Sequence, residues 1–256
     1  MWGIDNQKKY VFYYDESNNC RKFWIDDSKQ QFNTDFTSDF VLAGLVKKDE
    51  DVIETSLETF RKSLRLQKNV KEIKFKTLFS KGDFLRCVKE RRLFETLTWI
   101  DESPFYIHYT NVNNLFYTLV EIFDSIVSPN EINEFGYDYF KMKSTFYNMF
   151  KGKAEKLQAL MFKYKYPNLQ REDIEAFCND LLFLLGSRKE MKEEEKFLAG
   201  MLIRASKGDE LVFFHDNDDY VMQKNYVEFY VDPIRKYQNS THIFDVELEV
   251  QDEVEK

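Results

Sequence analysis

Residues 10–17, Tyr-Val-Phe-Tyr-Tyr-Asp-Glu-Ser, run five β-favouring side chains, Tyr10 to Tyr14, straight into two adjacent acids, Asp15 and Glu16. Side chains alternate faces along a strand, so Asp15 and Glu16 point opposite ways unless the strand breaks there. One of them then faces a site, and the other faces water or a basic neighbour. The composition Asp-Glu-Ser-Asn-Asn over 15–19 also suits the polar start of a turn, which is the competing reading.

The same logic recurs near the other end of the chain. Glu210–His215 (ELVFFH) is a second apolar, aromatic-rich stretch, and it hands over to Asp216-Asn217-Asp218-Asp219. Because Asp216 directly follows its strand as Asp15 does, these two acids are the better pair of candidates, with Glu16 secondary. A third segment, Val70–Phe79, alternates charge with apolar side chains. If extended, it projects Glu72 and Lys74 on one side and Ile73 and Phe75 on the other. A solvated Glu72–Lys74 ion pair would explain that ledge equally simply.

Between these stretches the pattern is mixed. Lys22–Asp26 reads as a strand forming a hairpin with the opening strand, 27–38 as a polar loop, and Phe40–Val46 as an apolar strand. Ile53, Leu57, Phe60 and Leu64 mark one face of a helix, 83–100 a second helix capped by Asp83, Pro104–Thr110 a strand, and Asn113–Val127 a further helix. Residues 130–208 are almost entirely helical in pattern, broken by Pro167 and Gly186, a helix is expected through Val221, Val227, Val231 and Ile234, and His242–Val250 alternates as a half-buried strand with Asp245, Glu247 and Glu249 outward. The expected fold class is α/β with a mixed α+β sheet: a core formed by residues 1–129 and 209–256, interrupted by a helical insertion or lid at 130–208.

Composition narrows the chemistry. Three cysteines and three histidines are scattered through 256 residues without CxxC spacing, which argues against a disulfide framework and against zinc. No run of 18 apolar residues and no signal-peptide core occur, so a soluble, cytoplasmic protein with no membrane partner is expected. Net charge is −8, yet residues 61–92 carry twelve Lys or Arg against three Asp or Glu, a local balance of +9. Such a face suits a polyanion, with Lys71, Lys76, Lys81 and Arg86 as candidate contacts to a nucleic-acid backbone, although a basic helical surface is also often simply solvated.

Carboxylates without soft ligands point to a hard cation, Mg2+ or Mn2+, of the kind that activates water and stabilises a leaving oxygen in phosphodiester cleavage. Asp15 and Asp216 are the expected shared ligands and Glu72 the third. Lys74 is the expected phosphate contact.

YYDES at 13–17, the following hairpin and FVLAGLV strand, EIKF at 72–75 and FFHDND at 213–218 together resemble the DUF3800 proteins, an uncharacterised group with a ribonuclease H-like (retroviral integrase-like) fold. That resemblance covers most of the chain outside 130–208. It implies a ribonuclease H-like core and a nuclease-like metal site of Asp15, Glu72 and Asp216, with Glu16 and Lys74 as neighbours. Members of that group continue into a closing helix bearing a further Asp. The second part of the core, 209–256, therefore reads as incomplete, or as completed by a partner chain or by Glu247, Asp252 and Glu253. The expectation is a metal-dependent nuclease acting on RNA or DNA. The rival is a non-catalytic scaffold of the same fold acting on a protein partner, in the manner of a toxin or defence component.

Overall fold

The computed structural model describes residues 7–36, 38–54, 56–66, 70, 73–74, 83–208, 211, 214 and 217–245. Its strands are β1 (Tyr10–Ser17), β2 (Phe23–Asp26), β3 (Gln31–Phe32), β4 (Asp39–Lys48), β5 (Tyr106–Asn113), β6 (Val221–Gln223) and β7 (Thr241–Ile243). Its helices are α1 (Leu57–Ser63), α2 (Phe84–Cys87), α3 (Arg91–Asp101), α4 (Asn114–Ile126), α5 (Pro129–Glu134), α6 (Tyr139–Phe150), α7 (Ala154–Lys163), α8 (Ile174–Leu185), α9 (Glu193–Ala205) and α10 (Val227–Lys236). The chain is mixed α/β with a mixed sheet, as its sequence pattern predicts. It divides into two compact units: Met1–Asp15, Leu42–Tyr109 and Tyr230–Lys256 form the first, and Glu16–Val41 with Thr110–Phe229 the second.

In the first unit the sheet runs β5-β4-β1-β7, with β7 parallel to β1. Tyr10, Phe12 and Tyr14 are buried on one face of β1, and Leu42 and Val46 of β4 are buried as well. Gly44 lets β4 come close to β1, because a Cβ built there would lie 1.6 Å from the Tyr13 carbonyl oxygen. Lys47 ends β4 by donating its ammonium hydrogens to the carbonyls of Lys48, Asp49 and Asp51 at 3.1, 3.3 and 2.9 Å. That set of acceptors is what allows a lysine to be buried. Ser56 caps α1 and Asp83 caps α2, the latter accepting from the Arg86 amide at 2.8 Å as its sequence position suggests. The Phe60 and Trp99 rings stack at 4.5 Å, and Arg92 Nε donates to the Leu64 carbonyl at 3.1 Å, so α1 and α3 pack antiparallel.

The second unit holds a three-stranded sheet, β3-β2-β6, and helices α4 to α9 around one apolar cluster that includes Phe23, Ile25, Leu119, Phe123, Phe146 and Phe177. The helical block expected over 130–208 lies wholly in this unit, in company with β2, β3 and α4. Asn113 caps α4 by accepting from the Phe116 amide, and Asp39 fixes that cap by accepting from the Asn113 and Asn111 amides at 2.8 and 3.1 Å. Ser128 and Glu131 close a capping box on α5.

Three expectations are corrected. Lys22–Asp26 does not form a hairpin with the opening strand; β2 pairs antiparallel with β3, inside the stretch read as a loop, and with β6. Val221–Gln223 is strand β6, not the start of a helix, and α10 begins only at Val227. Asp15 and Glu16 do not follow a strand end, because β1 continues through both to Ser17. The expected strand Glu210–His215 lies outside the described residues apart from Leu211 and Phe214, both buried.

Candidate functional site

Alternation along β1 fixes the two acids. Tyr10, Phe12 and Tyr14 point into the core, so Asp15 falls on the exposed face with Tyr13, and Glu16 falls on the half-buried face. The inward acid is thus Glu16, the reverse of the preference drawn from sequence. β7 lies beside β1 in parallel with Val11 opposite Thr241, Phe12 opposite His242 and Tyr13 opposite Ile243. Phe244, just past the end of β7, stacks its ring on Tyr14 at 4.4 Å and 7°. Asp245 follows it and, like Asp15, is exposed. Parallel pairing thus directs both exposed acids toward the same end of the sheet.

Beneath this edge is an aromatic ladder. His242 stacks on Phe12 at 4.9 Å and 5°, and His108 meets Phe12 and Tyr14 edge-on at 5.4 and 5.8 Å. Nε2 of His242 lies 3.1 Å from the Tyr237 carbonyl, which can only accept. The ring therefore carries its proton on Nε2 when neutral, and Nδ1 accepts from the Tyr14 hydroxyl at 3.1 Å. Burial lowers the pKa of His242, a shift partly opposed by the Tyr237 carbonyl. Burial also lowers that of His108, helped by Lys236 and His242, and Nδ1 of His108 is buried without a hydrogen-bond partner. Burial, with a smaller contribution from Tyr237, raises that of Tyr14.

Of the other expected site residues, Lys74 is exposed and lies in neither helix nor strand. Glu72 and Asp216 lie outside the described residues, as do Lys71, Lys76 and Lys81. Arg86 is exposed on α2. Among the described residues no group of three His, Cys, Asp or Glu side chains is arranged to hold a metal ion. No described helix is long and apolar enough to cross a membrane. Asp245 is the residue that sequence reasoning passed over. Its outward position in the alternating 242–250 stretch was the available signal, but nothing local marks that stretch as the neighbour of β1.

The second unit holds one further titratable group of note. Glu121 on α4 has its pKa pushed up to about 7, first by burial and then by Asp124, against the hydrogen bond from the Tyr166 hydroxyl.

Comparison of the chain with protein-family models, with curated proteins and with solved structures finds no match in any of the three. The likeness to the DUF3800 proteins therefore rests on the residues quoted above.

Proposed function

We propose that the chain is a Mg2+- or Mn2+-dependent nuclease-like protein with a ribonuclease H-like core, cleaving phosphodiester bonds of RNA or DNA. The observation that supports this reading is the parallel pairing of β1 with β7, which sends the exposed acids Asp15, on β1, and Asp245, two residues past β7, toward the same end of the sheet. Hard carboxylate oxygens at that edge are the donor set that Mg2+ and Mn2+ take. A metal ion bound there would activate water and offset charge on the leaving oxygen. Asp15 and Asp245 would hold it, with Glu72 and Asp216 completing the set. Lys74 would contact the phosphate, and the basic region 61–92 would hold the backbone on either side. Asp15→Asn is the test: loss of metal-dependent cleavage across a panel of RNA and DNA, with an unchanged circular dichroism spectrum, supports the reading, and full retained cleavage refutes it.

A second reading has its own observation. In the second unit Phe183 and Phe140 are 86% and 76% exposed on α8 and α6, which is more apolar surface than two solvated helices need. A scaffold that docks a protein through these helices would not depend on Asp15. Loss of biological activity on Phe183→Asp but not on Asp15→Asn would favour it.

A further inference from the structure

The α1–α3 pair carries two adjoining cavities of opposite character. One, of about 280 Å3, lies where α1 ends and α3 begins and is lined by Leu64, Arg65, Glu90, Arg91 and Arg92. Three guanidinium groups against one carboxylate make it a place for an anion, and the first turn of α3, which no side chain caps, faces the same way in charge. The other, of about 350 Å3, is within the usual range for ligand pockets and is lined by Phe60, Phe94, Glu95, Thr98, Trp99 and Glu102, among others. Phe60 and Trp99 stack to form its wall, while Phe94 is 63% exposed at its rim.

Arg91 and Glu95 connect the two cavities. Arg91 lines the first, and its Nε donates to Glu95 Oε1 at 2.6 Å; Glu95 lines the second, and its Oε2 is buried without a hydrogen-bond donor. That oxygen has no accessible surface, so Glu95 serves to hold Arg91 and does not itself meet a ligand. The spacing is short: Arg91 and Glu95 are one helical turn apart, about 5.4 Å.

We propose that these two cavities form one binding site for single-stranded nucleic acid, with a backbone phosphate among Arg65, Arg91 and Arg92. The adjoining base stacks on Phe94, which is exposed at the rim of the aromatic cavity. A lone phosphate would leave the aromatic cavity unused, and a purely apolar partner would leave three arginines unused; a nucleotide unit uses both. This inference rests on the nuclease-like reading for its biological sense but not for its geometry. It adds that the substrate is read as a single strand, whose unpaired bases are free to stack.

The test uses the full chain with EDTA present, so that metal-dependent cleavage plays no part. Fluorescently labelled 12-residue oligo(dA), oligo(dC) and oligo(dT), and a DNA duplex of the same length, are titrated by anisotropy while tryptophan emission is followed. A Trp99→Phe variant identifies the Trp99 signal. The expected result is quenching of Trp99 on binding, each single strand bound about fivefold or more tighter than the duplex, and a loss of about tenfold in Phe94→Ala and in Arg65→Ala. Both substituted side chains are exposed, so the fold survives the changes. Equal binding by wild type and both variants overturns this site and leaves the nuclease-like reading standing. Displacement of the oligonucleotide by poly-glutamate at equal charge also overturns it, in favour of an acidic protein partner. Failure to bind any nucleic acid at low salt overturns both this site and the nuclease-like reading.

Discussion

The Tyr14 hydroxyl donates to Nδ1 of His242 across 3.1 Å, and the Nε2–H of the same imidazole is given to the Tyr237 carbonyl, also at 3.1 Å. One neutral ring thus ties β1 to β7 and to the residue just beyond α10. Protonating it would turn its acceptor nitrogen into a donor facing a hydroxyl and would put a charge among Phe12, Tyr14 and Phe244.

The first unit is therefore expected to weaken in mild acid. His108 and His242 both have folded-state pKa values below the ordinary 6.5. The unfolded chain then binds more protons than the folded one just below pH 6.5, so stability is full above that pH and falls as pH drops through the window down to the folded values. Urea denaturation at pH 7.5 and 5.5 should show a lower midpoint at pH 5.5, and His108→Phe should reduce that difference. An unchanged pH dependence in the variant would remove His108 from the explanation.

The opposite sign is expected in the second unit. Glu121 has a pKa raised from 4.5 to about 7, so the folded state binds the extra proton, and its favourable contribution is present at low pH and lost as pH rises from about 4.5 through 7. Glu121→Gln should raise stability at pH 8 by about 1–2 kcal/mol and change it little at pH 4.5. Thermal unfolding at the two pH values, read from the same variant, checks both the sign and the window.

Gly44 is expected to be irreplaceable. The nearest obstacles to a Cβ there are the Tyr13 carbonyl oxygen at 1.6 Å and carbon at 2.7 Å, both backbone, so no side-chain rotation relieves the clash. Gly44→Ala should cost about 2 kcal/mol or more, or force β1 away from β4 and carry Asp15 with it. A stable variant with unaltered metal affinity would show that the two strands separate without consequence.

Removing the support beneath the α4 cap is expected to be milder. Asp39→Ala leaves the Asn111 and Asn113 amides without their acceptor and loosens the side chain that caps Phe116, a loss of about 1–2 kcal/mol in chemical denaturation. Asp39→Asn should recover part of it, since one amide can still be accepted.

Much of this structure was legible in local pattern. Leu115, Leu119, Ile122, Phe123 and Ile126 marked α4, and all five are buried. Asp83 and Phe40–Val46 were likewise read from their own neighbourhoods. What failed was information held between distant segments. Val227, Val231 and Ile234 share a helical spacing and do lie in α10, but Val221, six residues earlier, is off that face, and pairing with β2 draws it into a strand. Asp15 looked like a residue beyond a strand because acids disfavour strands, yet β1, which lies between β4 and β7 in its sheet, runs on through it to Ser17. Asp245 was passed over for the same reason: what brings its end of the chain to β1 is the parallel pairing of Thr241–Ile243 with Val11–Tyr13, a long-range register that no periodicity encodes.

The most direct test is calorimetric titration of Mn2+ into the wild-type chain, Asp15→Asn, Asp245→Asn and the double variant. If the β1–β7 edge holds the ion, the wild type binds Mn2+ below millimolar concentration, each single variant binds at least about tenfold more weakly, and the double variant does not bind. Equal Mn2+ affinity in the wild type and the double variant, or no binding by the wild type at millimolar metal, would contradict a carboxylate-held metal site at this edge.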